Sequence, residues 1–184
     1  QLCSVRFGNV INSSQSVIPI FKRQIETGGP VTLTDPQMSR FFLTYNDVTE
    51  LVIDAMNHTK AGEIFIQKMD AIAIEDLAEA MIDVFAPAYD HPPTEIKIEE
   101  TGSRIGETLD EKILTKQEEL RTVENDSLYA ILPEQSEGDD YLDHSTLDGF
   151  DPVETVVRSS EHADKLSQPD IRHPLRSEFA GVLP

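Results

Sequence analysis

The chain has 184 residues and carries 34 acidic against 15 basic ones, a net charge of −19 that fits one acidic domain and leaves no room for two large ones. The excess of acid argues against a nucleic-acid surface, which needs a basic patch, and the single cysteine, Cys3, excludes an internal disulfide and a cysteine-based zinc cluster. No apolar run approaches the roughly 20 residues that span a bilayer, and no signal peptide is recognisable, so we expect a cytoplasmic protein without a membrane segment.

The first elements alternate between strand and helix. The chain opens on an apolar, strand-like segment, residues 2–10, with no initiator Met, so we expect its start to be a cut edge of a longer protein. Ser16 precedes an apolar helix that ends at Gly28-Gly29-Pro30. A short strand, residues 31–34, comes next. Thr44-x-x-Asp47 then resembles a capping box and predicts the start of an amphipathic helix.

The same alternation continues to about residue 133. The predicted elements are a strand over 63–67, a helix over 74–85 that Pro87 ends, a strand over 94–99, a helix from the loop 102–106 to about Leu114, a helix capped at Thr115 and a strand over 128–132. Strands that alternate with helices indicate an α/β fold.

After Pro133 the pattern dissolves. Residues 134–157 are rich in Asp, Glu and Gly and are typical of a solvated linker. Residues 159–179 contain at most one weak terminal helix. We therefore predict an ordered portion over 1–133 and an acidic, largely irregular tail over 134–184.

The negative charge is unevenly distributed. Residues 1–60 carry five basic and five acidic residues, residues 61–100 carry two basic and ten acidic ones, and residues 101–184 carry eight basic and nineteen acidic ones. A neutral first third is consistent with an anion-binding surface, and equally with deeper burial of that part. Acids dispersed over the rest, with only seven Lys, also suit a surface adapted to high salt.

Most enzyme signatures are absent. The sequence has no Gly-rich dinucleotide loop, no Walker loop and no Gly-x-Ser-x-Gly elbow, and its five scattered His do not predict a metal site. Two arginines stand out: Arg40 lies between a turn and a capped helix, and Arg104 lies in a Gly-flanked loop after a strand. Guanidinium groups bind diphosphates through paired, charge-assisted hydrogen bonds, although salt bridges to nearby acids account for these positions as well.

Several motifs resemble one enzyme family. The residues are Arg6-Phe7-Gly8-Asn9-Val10, Ser16-Val17-Ile18-Pro19-Ile20-Phe21, Gly28-Gly29-Pro30-Val31-Thr32-Leu33-Thr34-Asp35-Pro36, Met38-Ser39-Arg40-Phe41, Gly62-Glu63-Ile64-Phe65, Asp76-Leu77-Ala78 and Arg104-x-Gly106-Glu107. They resemble the polysaccharide-biosynthesis nucleotide-sugar dehydratases and epimerases, which are extended short-chain dehydrogenase/reductase proteins. The best-known members are UDP-N-acetylglucosamine 4,6-dehydratases.

The resemblance implies that this chain is the C-terminal part of such an α/β, Rossmann-type enzyme, mainly its substrate-binding lobe. Residues 1–133 would hold the end of the Rossmann sheet, the nucleotide-sugar-binding lobe and the family's C-terminal extension, and Ser159-Ser160 weakly resembles a final piece of that extension. In the family, the Gly-rich NAD(P) loop and the catalytic Tyr-x-x-x-Lys pair lie upstream, and neither motif occurs here. The resemblance therefore implies NAD or NADP as cofactor, a UDP-sugar substrate and a homo-oligomeric parent. No residue of this chain is expected to be catalytic, and the isolated chain is expected to be inactive and poorly stable.

Six residues are assigned to substrate by the resemblance. Asn9 matches the family's contact with the sugar diphosphate, Arg40 the arginine that grips the UDP phosphates, and Arg104 its partner. Val17 and Pro19 would border the uracil pocket, although core packing explains them equally well. Glu107 would hold the ribose or orient Arg104.

Departures from the family pattern leave the exact substrate and reaction undecided. Ser13-Ser14-Gln15-Ser16 stands where the family has Ser-Arg-Gly-Ser, so one cationic contact is missing, and Ile105 replaces a usual Pro. A UDP-sugar 4-epimerase shares this lobe and is the close alternative to the 4,6-dehydratase. A non-catalytic binding or interaction module with an acidic tail is the alternative from another class, and a complete but degenerate gene product is a further one.

Overall fold

The structure is a computed structural model that describes residues 2–14, 16–134 and 147–181. Strands and helices alternate along these ranges. The strands are Ser4–Arg6 (β1), Asn9–Val10 (β2), Val31–Leu33 (β3), Ser39–Leu43 (β4), Ile64–Gln67 (β5), Ala71–Ala73 (β6), Ile98–Glu100 (β7), Thr122–Glu124 (β8), Leu128–Ile131 (β9) and Asp151–Pro152 (β10). The α-helices are Val17–Glu26 (α1), Tyr45–His58 (α2), Ile74–Phe85 (α3), Lys116–Glu119 (α4) and Gln168–Glu178 (α5), and short 3₁₀ helices cover Ala86–Tyr89 and Pro93–Glu95.

The strands form three sheets. The largest has the order β1-β5-β9-β8-β10, in which β1 runs parallel to β5 and the other pairs are antiparallel. In the second sheet, β4 lies between β2, which is parallel to it, and β6, which is antiparallel. The third sheet pairs β3 with β7 in parallel. Parallel strands joined through helices confirm the predicted α/β class.

The predicted first strand is in fact two strands in different sheets. β1 pairs with β5, whereas β2 pairs with β4, with Asn9 opposite Phe42. Gly8 lies at the change of sheet, where a Cβ atom would stand 2.5 Å from the Cβ of Phe41 and 2.6 Å from its carbonyl oxygen. Only glycine allows the backbone to pass β4 this closely, and this passage brings Asn9 beside β4.

The locally capped helices agree with the sequence. The Thr44 hydroxyl accepts a hydrogen bond from the backbone N–H of Asp47, and the Asp47 carboxylate accepts one from the Thr44 N–H, so α2 begins with the predicted capping box. The same reciprocal pair starts α4, between Thr115 and Glu118. Helix α1 ends just before Gly28, which has a φ of 89°.

Two predicted elements are corrected. The helix expected to run to Leu114 is absent, since the backbone from residue 109 to 114 bonds to β4 and to residues 158–160. The strand expected over 94–99 is a 3₁₀ turn followed by β7, because Pro93 favours a turn at that point. Four strands, β4, β6, β8 and β10, were not predicted.

The C-terminal residues pack onto the fold. Leu147, Phe150 and Val156 are buried, so the expected solvated linker is wrong for residues 147–157, while residues 135–146 lie outside the described ranges. The expected terminal helix is α5, and just after it Phe179 meets Phe85 of α3 edge to face, with ring centroids 5.1 Å apart. The boundary after residue 133 stays a prediction.

The largest apolar core lies between α1, α3, α5 and the edge of β3. Its most deeply buried members include Ile18, Phe21, Ile25, Val31, Leu77, Met81, Phe85 and Leu175. Within the described ranges, no helix is both long and apolar enough to cross a membrane. The core fixes α1 and α3 against the sheets and leaves the loop 101–109 at the surface.

Candidate functional site

Arg40 holds the end of the surface loop 101–109 against β4 through hydrogen bonds. Its Nη1 donates to the carbonyl oxygens of Ser39, at 2.7 Å, and Leu109, at 2.8 Å, and its Nη2 donates to that of Thr108, also at 2.7 Å. The neighbouring β4 residues, Ser39 and Phe41, are buried, whereas Arg40 is half-buried. Its Nη2 also lies 3.9 Å from the Met38 sulfur. The positive charge is therefore held in one place at the start of β4, and among the described residues the Nε–H is the donor without a partner.

Asn9 faces the same strand. Its Nδ2 donates to the carbonyl oxygen of Phe41, at 3.2 Å, and to Oε2 of Glu111, at 3.1 Å. The same carboxylate oxygen accepts the backbone N–H of Phe41 at 3.1 Å. Both amide protons of Asn9 are thus engaged within the protein, whereas its Oδ1 has no hydrogen-bond partner in the described ranges.

Glu111 is the acid at the centre of this arrangement. Burial raises the pKa of its carboxyl above the ordinary value, and this effect exceeds the opposing ones of the Phe41 N–H and of the Arg40 charge. Sequence reasoning missed Glu111 because it lies in a segment that was expected to be helical. No local pattern reveals that its partners are 70 and 102 positions away.

A buried serine of the C-terminal residues, Ser160, completes the hydrogen-bond network around Glu111. The Ser160 hydroxyl donates to the carbonyl oxygen of Ser39 and accepts the backbone N–H of Glu111, both at 2.9 Å. The Ser160 N–H donates to the Glu111 carbonyl oxygen at 2.9 Å. Ser39 Oγ lies 2.8 Å from Oδ1 of Asp110, to which it donates. The only signal for Ser160 in the sequence is a weak resemblance of Ser159-Ser160 to the end of the family's C-terminal extension.

Arg104 and Glu107 line a separate cleft of about 620 Å³. The Arg104 N–H donates to Glu107 Oε2 at 2.9 Å, and the Glu107 N–H donates to the Arg104 carbonyl oxygen at 3.1 Å, so the two residues form a compact turn. Among the described residues, the Arg104 guanidinium has no hydrogen-bond or ion-pair partner. The other walls are Val17, Ile20, Phe21, Thr32, Leu33, Thr34, Ile74, Thr101, Gly102 and Ser103.

The six predicted site residues fall into three places. Val17 shares the cleft with Arg104 and Glu107, while Asn9 and Arg40 belong to the Glu111 network. The loop 101–109 joins these two places, since it carries Arg104 and Glu107 and ends on the carbonyls that hold Arg40.

Pro19 lies elsewhere. It lines a different depression beside Lys22 and Arg23. Residues two apart on a helix point about 200° apart around its axis, which explains why Val17 and Pro19 do not meet.

No residue of this chain is assigned to a cofactor or a metal ion. The sequence contains neither the Gly-rich loop nor the Tyr-x-x-x-Lys pair that would hold NAD(P). Among residues 2–14, 16–134 and 147–181, no group of three or more His, Cys, Asp or Glu side chains is placed to hold a metal. The groups at this site that could contact an anion are the Arg104 guanidinium and the Nε–H of Arg40.

The sequence profile of a family described as Polysaccharide biosynthesis protein matches residues 1–133. The chain is 43% identical over 129 residues to an uncharacterized membrane protein of Methanocaldococcus jannaschii, covering 70% of this chain and 39% of that protein. It is 46% identical over 116 residues to the probable polysaccharide biosynthesis protein EpsC of Bacillus subtilis, covering 62% and 19%. A UDP-glucose 4-epimerase of Rickettsia akari is 36% identical over 130 residues, covering 71% and 36%.

One solved structure covers nearly the whole chain. The X-ray structure of Pen from Bacillus thuringiensis superposes with a TM-score of 0.74 at 34% identity, covering 96% of this chain and 50% of that one. The chain therefore spans half or less of the length of each of these proteins. The superposition includes most of the residues beyond 133, which the family profile does not match.

Proposed function

The chain belongs to the polysaccharide biosynthesis protein family, and from this membership we propose that it supplies the UDP-sugar-binding part of a nucleotide-sugar dehydratase or epimerase. The family resemblance seen in the sequence and the α/β fold class, that of extended Rossmann-type short-chain dehydrogenase/reductases, are confirmed. The family comprises nucleotide-sugar epimerases and dehydratases of polysaccharide biosynthesis. The activity of the whole protein, its substrate and its partners are proposals.

The observation that carries the proposal is the connection of two guanidinium groups by one loop. Arg40 holds the end of the loop 101–109 through Thr108 and Leu109, and Arg104 projects from the same loop without a partner among the described residues. In a chain with a net charge of −19, such a pair favours a compact anion with several acceptor oxygens. A diphosphate has this chemistry.

The remaining predicted residues take supporting roles in the proposal. Val17 borders the cleft beside Arg104 and offers an apolar edge for the uracil. Glu107 orients the Arg104 turn through its bond to the Arg104 N–H. Asn9 offers its free Oδ1 to a hydroxyl of the substrate, while its amide group stays on Phe41 and Glu111. Pro19, on the opposite side of α1, is retained only as part of the family motif.

For the reaction, we propose 4,6-dehydration of a UDP-N-acetylglucosamine-type sugar. NAD or NADP, when bound, would take up hydride from C4 and return it to C6 after water is lost across C5–C6. The residues of this chain bind and orient the nucleotide sugar. The epimerases among the relatives favour UDP-sugar 4-epimerisation as the second candidate, because they match the same part of the chain. The cytoplasmic location and the homo-oligomeric state stay predictions.

The test is UDP binding by the full-length protein, measured by isothermal titration calorimetry. Arg40→Ala and Arg104→Ala should each raise the Kd for UDP by tenfold or more, because a hydrogen bond to a charged group is worth about 1.5–3 kcal/mol. Arg23→Ala is the matched control, since it removes the same charge from an exposed position on α1 away from the cleft. Equal affinity in all variants would favour the non-catalytic module.

Mass spectrometry of the sugar product then separates the two reactions. A product that has lost one water from UDP-N-acetylglucosamine indicates the dehydratase. A product of unchanged mass whose NMR spectrum shows an inverted C4 indicates the epimerase. The isolated chain of residues 1–184 should give neither product, because the cofactor loop and the Tyr-x-x-x-Lys pair are not in it.

A further inference from the structure

Ser160 is a C-terminal residue whose polar atoms contact the start of β4 and the backbone of Glu111. It is 0% exposed. Its hydroxyl and N–H make three hydrogen bonds to the backbones of Ser39 and Glu111, and its Oγ also lies 2.9 Å from Ser39 Oγ. Those two residues lie 121 and 49 positions away in the chain. One side chain thus ties the start of β4 to the segment that follows the loop 101–109.

The two backbones that Ser160 joins are the immediate supports of the proposed diphosphate site. Ser39 precedes Arg40, and its N–H donates to the carbonyl oxygen of Leu109 at 2.9 Å. Glu111 holds the amide group of Asn9 and the N–H of Phe41 through one carboxylate oxygen. If the Ser160 hydroxyl were absent, the Glu111 N–H and the Ser39 carbonyl would lose buried partners. The bond of the Phe41 N–H to the Glu111 carboxylate would remain, so the separation of β4 from Glu111 would be held less tightly.

We propose that Ser160 is a positioning residue for nucleotide-sugar binding, supplied by the part of the chain that lies beyond the family match at residues 1–133. It sets the distance between β4 and Glu111, and through them the placement of Arg40 and Asn9. This inference rests on the proposed function. It also gives the packed C-terminal residues a role in ligand binding besides their contribution to the core.

The experiment compares Ser160→Ala with Ser159→Ala in the full-length protein. Ser159 is a matched control because it is the adjacent buried serine, 6% exposed, and within the described part of the chain its hydroxyl contacts only the His162 ring and the Glu161 N–H. Ser160→Ala should raise the Kd for UDP about tenfold, the effect of one lost buried hydrogen bond. Ser159→Ala should change the Kd less than about twofold.

Two further measurements separate positioning from a merely structural role. The affinity for NAD(P) should be equal in both variants and the wild type, because the cofactor would bind outside this network. Ser160→Cys, which keeps the size and a weak donor, should give a Kd for UDP between those of wild type and Ser160→Ala, and it serves in place of Ser160→Ala if that variant does not fold.

The outcomes distinguish this inference from the function on which it rests. If the wild type binds UDP and Arg40→Ala weakens binding, but Ser160→Ala and Ser160→Cys bind UDP like the wild type, the role of Ser160 is refuted and the proposed function survives. A parallel loss of UDP and NAD(P) affinity would also refute it, because a general structural defect would then suffice. Absence of UDP binding in the wild type would overturn both.

Discussion

A half-buried ion pair between β1 and the start of α4 gives a sharp prediction about stability. Arg6 Nη2 lies 2.7 Å from Oε1 of Glu118, and Arg6 Nη1 donates to Oε2 of the same carboxylate at 3.1 Å and to the carbonyl oxygen of Ile113 at 2.8 Å. Glu118 also forms the capping box with Thr115. The perturbation is Glu118→Gln, which retains an acceptor for the capping box and removes the charge.

The magnitude follows from the protonation of Glu118. The hydrogen bonds from Arg6 lower the pKa of this carboxyl from an ordinary 4.5 to about 2. One unit of pKa corresponds to about 1.4 kcal/mol, so linkage gives about 3 kcal/mol as an upper figure for the neutral protein. Because the Arg6 side chain is 35% exposed while Glu118 is 13% exposed, solvent screening weakens the ion pair. We therefore expect Glu118→Gln to lower the free energy of unfolding by about 1.5–3 kcal/mol.

The pH dependence has a definite sign. A depressed pKa in the folded protein means that the stabilisation is complete above about 4.5 and is lost as the pH falls toward about 2. Urea unfolding should therefore show a large difference in the free energy of unfolding between wild type and Glu118→Gln at neutral pH. The difference should be smaller at about pH 3, where part of the stabilisation has already been lost.

The control is an exposed ion pair of the same type. Arg121 Nη2 and Glu134 Oε1 are 3.6 Å apart, with Glu134 83% exposed, and Glu134→Gln should cost less than about 0.5 kcal/mol. If Glu118→Gln costs no more than Glu134→Gln, or if its cost is the same at both pH values, the assignment of the stabilisation to the charge of Glu118 is wrong.

Three other predictions concern packing and charge. Gly8→Ala should lower the free energy of unfolding by more than about 2 kcal/mol in urea titrations, since its Cβ would overlap Phe41; an unchanged midpoint would contradict the close approach. Phe179→Ala should cost about 3–5 kcal/mol, because the ring is buried against Phe85, and a cost near zero would mean that the C-terminal residues do not belong to the core. Molar KCl should raise the melting temperature, since it screens repulsion among the excess acids; equal melting temperatures at low and molar salt would refute adaptation to high salt.

The parts of the fold that could be predicted from the sequence are those with local causes. The capping boxes at Thr44 and Thr115 involve residues three positions apart, and both were found where expected. The predicted helix over 74–85 is α3, whose apolar residues recur with helical periodicity and are buried. Local sequence is enough where the stabilising contacts lie within one element.

The missed elements depend on distant partners. β6 has three residues, Ala71–Ala73, whose assignment as a strand rests on pairing with β4. The segment after Gly106 has reasonable helical residues, but the N–H groups of Ile113 and Leu114 donate to the carbonyl oxygen of Arg158. A single sequence contains no pattern that announces such bonds.

The candidate site also contains residues that the sequence indicated and residues that only the structure revealed. Arg40 and Arg104 were singled out by their loop positions and by the family motifs. Glu111 and Ser160 were not, because their importance arises from hydrogen bonds that join chain segments 49 to 121 positions apart. Sequence reasoning therefore identified the candidate charges, and the structure identified what holds them in place.

The clamp on Arg40 has an entropic consequence. Three carbonyl oxygens already hold its guanidinium in the free protein, so a ligand that meets it does not have to freeze a long side chain, a cost of up to about 2 kcal/mol. Arg104, with no partner among the described residues, would have to lose that freedom on binding. The two arginines would then contribute unequally to affinity even with identical contacts to the ligand. The Arg40 side chain is ordered before the ligand binds, whereas the Arg104 side chain would become ordered only on binding.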